Sequence, residues 1–316
     1  MKKLRVGVIG VGYLGKFHAE KYAQMDNVDL VGIVDVNREQ AHQVAQQVGT
    51  RAYRNYEDLF GKVDAVSVVT PTPAHFEVSR AFLERDVDVL IEKPITVTLD
   101  EADALIDFAE SRGLIIQVGH LERFNPAVMA LQDIVKVPRF IESHRLSIFK
   151  PRGIDVSVVL DLMIHDIDII LNFVKSDVTD IRAAGTTVIT DEVDIANARL
   201  EFQNGCVANV TASRISAKNE RKIRLFQRDA YISVDFANQG ITIIRQDDNG
   251  GEGIIPGMAM QQLSFAKADA LAAEISAFVS CVLTRTVPEV SGKVGRDALK
   301  IVLHIMDQIQ LTHQRF

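Results

Sequence analysis

Leu4-Arg5-Val6-Gly7-Val8-Ile9-Gly10-Val11-Gly12-Tyr13-Leu14-Gly15 carries an apolar, β-branched stretch straight into a G-x-G-x-x-G loop. A helix-like stretch follows from Leu14 to Gln24, and a second strand-like run, Asp29 to Val34, ends in Asp35. Strand, glycine turn, helix, strand and acid thus stand in order, with the acid about 20 residues past the last glycine, the arrangement of a dinucleotide-binding βαβ unit. Gly10 permits the tight turn, Gly12 lets the backbone approach a pyrophosphate with no Cβ in the way, and Gly15 lets helix and strand pack closely. With Tyr13 and Leu14 between them, the loop opens a helix whose N-terminus offers free N–H groups and positive potential to a diphosphate. Asp35 can accept hydrogen bonds from both adenosine ribose hydroxyls and repels a 2′-phosphate, which favours NAD over NADP. Arg38, just beyond, stands where it either stacks on adenine or meets a 2′-phosphate.

Outward from this unit the alternation continues. Ala65 to Val69, Val87 to Ile91 and Leu114 to Val118 read as further strands, and Arg38 to Val48, Phe76 to Arg85 and Leu99 to Ser111 as helices. The strands are continuous apolar runs, as strands of a doubly wound parallel sheet covered on both faces should be. Ligands of such a sheet bind outside the carboxyl ends of its strands. The residues there are Thr70-Pro71-Thr72-Pro73-Ala74-His75, Glu92-Lys93-Pro94 and Gly119-His120-Leu121-Glu122-Arg123-Phe124-Asn125-Pro126. Proline gives a rigid rim against which a nicotinamide can lie, so Thr70, Pro71, His75, Glu92, Lys93, His120 and Arg123 are candidate cofactor contacts. A lysine ammonium beside a cofactor can also stabilise an alkoxide as hydride leaves; the plainer alternative for Lys93 is a surface pair with Glu92.

The chain has 316 residues, 47% hydrophobic and 24% charged, with 35 Lys and Arg against 42 Asp and Glu. That composition excludes a disordered or fibrous chain, and the length favours two domains. The formal charge of -7 argues against a broad nucleic-acid surface, so anion sites should be local. Cys206 and Cys281 form no metal or disulfide spacing, which suits a reducing, cytoplasmic setting. No apolar run reaches the roughly 18 residues of a membrane span, and glycines interrupt the only signal-like stretch, Val6 to Leu14.

Past residue 138 longer alternating runs appear, at Arg139 to Phe149, Val193 to Phe202, Val207 to Ile215, Ile223 to Phe236 and Ile241 to Arg245, implying a largely antiparallel sheet. Asn204-Gly205 is a hairpin signal. Helical periodicity marks Val158 to Val174, Ala268 to Leu283 and Val294 to Gln308. The expected division is a dinucleotide-binding domain at 1–120 and an α+β domain for substrate binding and oligomerisation at 121–316.

In the helix from Val158, spacings of four and three place Asp161, His165 and Asp168 on one face and turn Asp166 away. A histidine between carboxylates can be held in one orientation and take up a hydroxyl proton near neutral pH. A merely solvated helix face is the alternative, and a metal site lacks a third ligand at a telling spacing. Between Arg214 and Arg224 stand five basic residues in eleven, including Lys218 and Arg221. With Arg152 they make a candidate diphosphate site, or else a solvated basic loop.

Taken together, Gly10-x-Gly12-x-x-Gly15, Asp35, Thr70-Pro71, Glu92-Lys93-Pro94, Arg123-Phe124-x-Pro126 and the pair Asp161 and His165 resemble the Gfo/Idh/MocA family of nicotinamide-dependent sugar oxidoreductases, over essentially the whole chain. The resemblance implies an N-terminal Rossmann domain, an open-faced second sheet often used to build dimers or tetramers, and bound NAD. It gives Lys93 and His165, with Asp161, roles flanking the reacting sugar carbon and the nicotinamide. The sequence departs from many members at Met163, where they carry glycine. The stretches Gly119 to Val128, Val159 to Asp168 and Arg214 to Tyr231 look like the subgroup that oxidises the 3-hydroxyl of UDP-N-acetylglucosamine for an aminotransferase in lipid A precursor synthesis. Dehydrogenation of a free sugar or inositol, a redox-neutral hydrolase and a non-catalytic NAD-binding sensor are the rival readings.

Overall fold

The short run Ala65 to Val68, apolar but for Ser67, makes a strand only if both faces are covered, and all four residues are buried. In the computed structural model, which describes residues 3–151, 153–246 and 257–313, this strand lies inside a six-stranded parallel sheet. Along the chain come β1 (Leu4–Ile9), α1 (Gly15–Ala23), β2 (Val28–Val34), α2 (Arg38–Val48), β3 (Ala52–Tyr53), β4 (Ala65–Val68), α3 (His75–Leu83), β5 (Asp88–Glu92), α4 (Leu99–Arg112) and β6 (Ile116–Gly119). The strand order β3-β2-β1-β4-β5-β6 reverses direction of winding at β1 and β4, so the ends of these two strands form the switch point where ligands bind. Local chemistry sets the helix ends. Asn37 caps α2 by accepting from the Gln40 N–H at 3.2 Å, and Thr98 and Glu101 form a reciprocal capping box at α4.

Next come α5 (Pro126–Ile134), β7 (Pro138–Leu146), a π-helical turn at Val159–Met163 running into α6 (Ile164–Val174), then β8 (Val178–Thr186), β9 (Ile195–Phe202), β10 (Val207–Ser213), β11 (Glu220–Gln227), β12 (Ala230–Asp235), β13 (Gly240–Gln246) and β14 (Met258–Ser264). The eight strands form one mixed sheet in the order β14-β13-β12-β11-β7-β10-β9-β8. Its single parallel pair is β7 with β10, and every other pairing is antiparallel. The expected hairpin at Asn204-Gly205 joins β9 to β10, with Gly205 at φ +80. The single run expected over 223–236 is two strands, because the chain turns at Arg228-Asp229. Burial alternates along β9, β10 and β12, and Ala198, Ala208 and Ala212 are among the buried positions. Small side chains there let α6 and the π turn pack closely on β7 and β10. The opposite face carries aromatic contacts, Phe140 with Phe226 and Phe226 with Tyr231, at centroid distances of 5.8 and 5.1 Å.

Two helices end the chain, α7 (Ala270–Thr284) and α8 (Gly292–His313). The first compact unit comprises 1–121 together with 269–299, and the second 122–268 with 300–316. The expected single cut at 120/121 therefore does not describe the return of α7. The reason is packing: Ile275, Phe278, Val279 and Val282 of α7 join Leu4, Val6, Tyr22, Ile33 and Leu90 in the core beside the parallel sheet. Asp269 caps α7 and also pairs with Lys21 of α1 at 2.6 Å. Among the described residues, no helix is long and apolar enough to cross a membrane.

Candidate active site

The glycine loop has the space its residues require. A Cβ on Gly10, at φ +85, would lie 2.6 Å from the Val69 carbonyl oxygen, and one on Gly15 would lie 1.8 Å from that of Gly10. Around Gly12 nothing lies within 4 Å of such a Cβ, which leaves room for a phosphate against the backbone. Leu14 stands at the N-cap of α1 and supplies no side-chain cap, so the helix terminus keeps N–H groups for an anion. Tyr13 is exposed and meets Phe17 edge-on. Asp35 accepts from the Val11 and Asn37 N–H groups, each at 2.8 Å. It thereby ties β2 to the glycine loop, and its remaining lone pairs are enough for two ribose hydroxyls. Arg38 is exposed at the start of α2. Past β4, the Thr70 hydroxyl oxygen is buried with no hydrogen-bond partner among the described residues. An open cradle, an uncapped helix terminus, a ribose acid and an orphaned hydroxyl together fit NAD.

At the ends of β4 and β5, His75 connects two loops. Its Nδ1 lies 2.9 Å from the Pro94 carbonyl oxygen and its Nε2 lies 2.8 Å from that of Thr70. Burial lowers its pKa and outweighs these two bonds, so the neutral ring donates to one carbonyl at a time. His75 thus braces the rim. Glu92 closes β5, and its Oε2 accepts from the Lys93 N–H at 3.3 Å. Lys93 itself is half-buried, as one end of a cis peptide to Pro94. His120, just past β6, is buried.

In the second unit the spacing rule for the Asp/His helix holds only in part. Asp161 lies in the π turn, which inserts an extra residue and breaks the α-helical register between Asp161 and His165. Asp161 and His165 are both half-buried, and an added Cβ at Gly153 would lie 3.5 Å from the Asp161 carboxylate. Asp166, expected to turn away from that face, is buried and bidentate to Arg145 of β7, at 2.8 and 3.1 Å. Arg145 also donates to Glu122 at 3.2 Å. Asp168 is buried 3.8 Å from Arg123. Paired acids on this helix face inward because burial of a carboxylate needs a cation beside it.

The basic segment is divided in the same way. Arg214 leaves the candidate anion site, since its guanidinium is buried and donates to the Gly153 carbonyl at 2.7 Å and to that of Val156. Lys218 pairs with Glu220 and remains largely exposed; Arg221 lies 3.6 Å from Glu122. Lys222 and Arg224 face Asp235 and Glu142 at 3.6 and 3.8 Å. Arg152 lies outside the described residues. Behind Arg214, Asp194 accepts from the N–H groups of Val188, Ile189 and Thr190 at 2.7 to 2.9 Å, and from the Thr190 hydroxyl at 2.7 Å. Burial alone would raise its pKa, but these donors hold it well below the usual carboxylate range. The folded-state pKa is depressed, so the stabilisation is present above the unfolded value and disappears as pH falls below about 4. Asp194→Asn is expected to flatten that acid limb and to cost about 1–3 kcal/mol at neutral pH, measured by urea unfolding across a pH series.

Known proteins share this architecture. Residues 4–120 match the oxidoreductase family with an NAD-binding Rossmann fold, and residues 139–233 match the Gfo/Idh/MocA C-terminal domain. The chain is 41% identical to UDP-N-acetylglucosamine 3-dehydrogenase of Acidithiobacillus ferrooxidans, covering 100% of both chains. The chain belongs to the Gfo/Idh/MocA family. A solved structure of that Acidithiobacillus protein superposes with a TM-score of 0.94, covering 98% of this chain and 99% of that one. Myo-inositol 2-dehydrogenase of Thermotoga maritima is 27% identical over 94% of this chain and 93% of its own.

As a Gfo/Idh/MocA protein, the chain carries polar groups that the motif reading passed over. Tyr22 and His18 on α1 and Glu274 on α7 are buried near Glu92. The signal was available for Glu274. It falls at helical spacing between Leu271 and Phe278, on the stripe of α7 that packs into the core, where an acid needs a reason.

Proposed function

We propose that this chain oxidises the 3-hydroxyl of UDP-N-acetylglucosamine to the 3-keto sugar nucleotide with NAD. The reading is carried by full-length likeness to the Acidithiobacillus 3-dehydrogenase, in a chain whose glycine loop and Asp35 fit the cofactor. Gly10, Gly12 and Gly15 with the α1 terminus hold the diphosphate, Asp35 the ribose, and Thr70 and Pro71 the nicotinamide side. NAD held there would supply the hydride acceptor for the carbinol carbon. His165, oriented with Asp161, takes the hydroxyl proton, and the Lys93 ammonium stabilises the alkoxide as the C–H bond breaks. Lys218 and Arg221, exposed at the start of β11, supply cations for the UDP diphosphate. Arg214 and Asp194 order the loop beneath them. The ketone is an aminotransferase substrate, and use by such an enzyme belongs to the same proposal, as does a homo-oligomer built on the open sheet.

The test is NADH absorbance after mixing the protein with NAD and UDP-N-acetylglucosamine, with an aminotransferase and glutamate drawing off the ketone. NADH should accumulate with the sugar nucleotide and not with myo-inositol. NADH from myo-inositol alone, or none from either with NAD binding verified, overturns the assignment.

A further inference from the structure

Beneath the Glu92-Lys93-Pro94 turn lies a closed polar cluster that the proposed hydride transfer does not use. Tyr22 OH and Ser67 Oγ are 2.8 Å apart, Ser67 Oγ and His18 Nδ1 3.2 Å, and His18 Nε2 and Glu92 Oε1 3.1 Å. An ionised Glu92 must accept, so His18 donates from Nε2. Its other ring nitrogen, Nδ1, is bonded to the Ser67 hydroxyl, which is bonded in turn to Tyr22. Glu92 also accepts from the Lys93 N–H, and β6 presses on it so closely that a Cβ at Gly119 would lie 2.9 Å from its carboxylate.

Glu274 enters this cluster from α7. Its side chain is fully buried, and neither carboxyl oxygen has a hydrogen-bond partner among the described residues. Its own backbone is pinned, since the Glu274 carbonyl accepts from Gln117 Nε2 at 3.0 Å. One carboxyl oxygen each of Glu274 and Glu92 and a ring nitrogen of His18 lie within 4.8 Å of one another. Two buried carboxylates this close disfavour each other's ionisation, so one of them is held protonated.

We propose that Glu274 is held as the neutral carboxylic acid beside an ionised Glu92, so that the two acids together carry one negative charge at the foot of Lys93 and position that lysine. The environments separate the two acids in this sense. Burial, and then the charge of Glu92, push Glu274 well above the ordinary carboxylate range. Burial would also raise Glu92, but the hydrogen bond and charge of His18, with Lys93, bring it below. One ammonium then faces one net charge. Glu274 touches neither cofactor nor sugar in this scheme; it acts through Glu92. That role for Lys93 rests on the proposed dehydrogenase reading, whereas the protonation of Glu274 does not.

The first measurement therefore needs no substrate. Infrared spectra at neutral pH should show a protonated carboxyl C=O band that shifts on glutamate ¹³C labelling and is lost in Glu274→Gln. Absence of the band, or its survival in that variant, overturns the proposal, as does stoichiometric zinc in the purified protein, which would make the three groups ligands instead. The second measurement is the pH profile of kcat with UDP-N-acetylglucosamine. Glu274→Gln replaces one neutral group by another, so the profile should stay in place; a displacement of about one pH unit would mean that Glu274 was ionised. Glu274→Ala, which deletes the neutral carboxyl group, should lower kcat about ten-fold with KM unchanged, and Glu274→Gln should recover most of that loss. Full kcat in the alanine variant removes the positioning role.

Discussion

Lys93→Met and His165→Ala each lower kcat for the sugar nucleotide by about 100-fold or more, as loss of an alkoxide-stabilising cation or a general base commonly does. The direction follows from what each side chain supplies. Methionine keeps the length and apolar stem of Lys93 while removing the ammonium, so Glu92 retains its contacts with His18 and loses only the cation beside it. Alanine at His165 leaves α6 intact, since the position is half-buried and the helix is held by Ile164, Ile167 and Ile170 in the core. NAD affinity should be unchanged for His165→Ala, because the glycine loop and Asp35 belong to the other unit. Stopped-flow NADH formation with cofactor binding measured separately distinguishes the outcomes. A sensor that only reports bound NAD would tolerate both changes, so unchanged kcat in both variants sinks the enzymatic reading.

The parallel sheet was legible because its strands leave no choice. A run such as Ala65 to Val68 has no solvent side, and the glycine loop with Asp35 identifies the end of the sheet that takes a ligand. Less of the second unit could be read. The strand β8 has a single buried residue, Ile181, and β14 is mostly exposed, so neither presents the apolar period by which strands are recognised. The site was legible as residue types and not as contacts. Helical spacing gave Asp161 and His165 one face, but the π turn intervenes; charge counting made Arg214 an anion ligand, but two carbonyls and Asp194 claim it. A basic residue within a solvated run and one buried beneath a loop look the same until the acceptors around it are known.

Arg145 shows what that ambiguity conceals, and its removal is expected to have the largest effect on stability. Arg145 and Asp166 are buried to 4% and 1% exposure of their side chains, with two bonds between them and a third to Glu122. Burial would lower the guanidinium pKa, but the two carboxylates more than offset it and raise it further above its ordinary value. Arg145→Met leaves Asp166 as an uncompensated buried charge and should cost about 3–5 kcal/mol, whereas an apolar replacement of both partners recovers much of that. Urea unfolding of Arg145→Met, Asp166→Leu and the double variant separates these contributions. If the double variant is no more stable than Arg145→Met, the loss comes from packing of the long side chain against Phe236, and the charge pair was not what held β7 to α6. If it recovers stability but not kcat, the pair serves chiefly to hold the helix turn on which His165, its immediate neighbour in sequence, presents its ring.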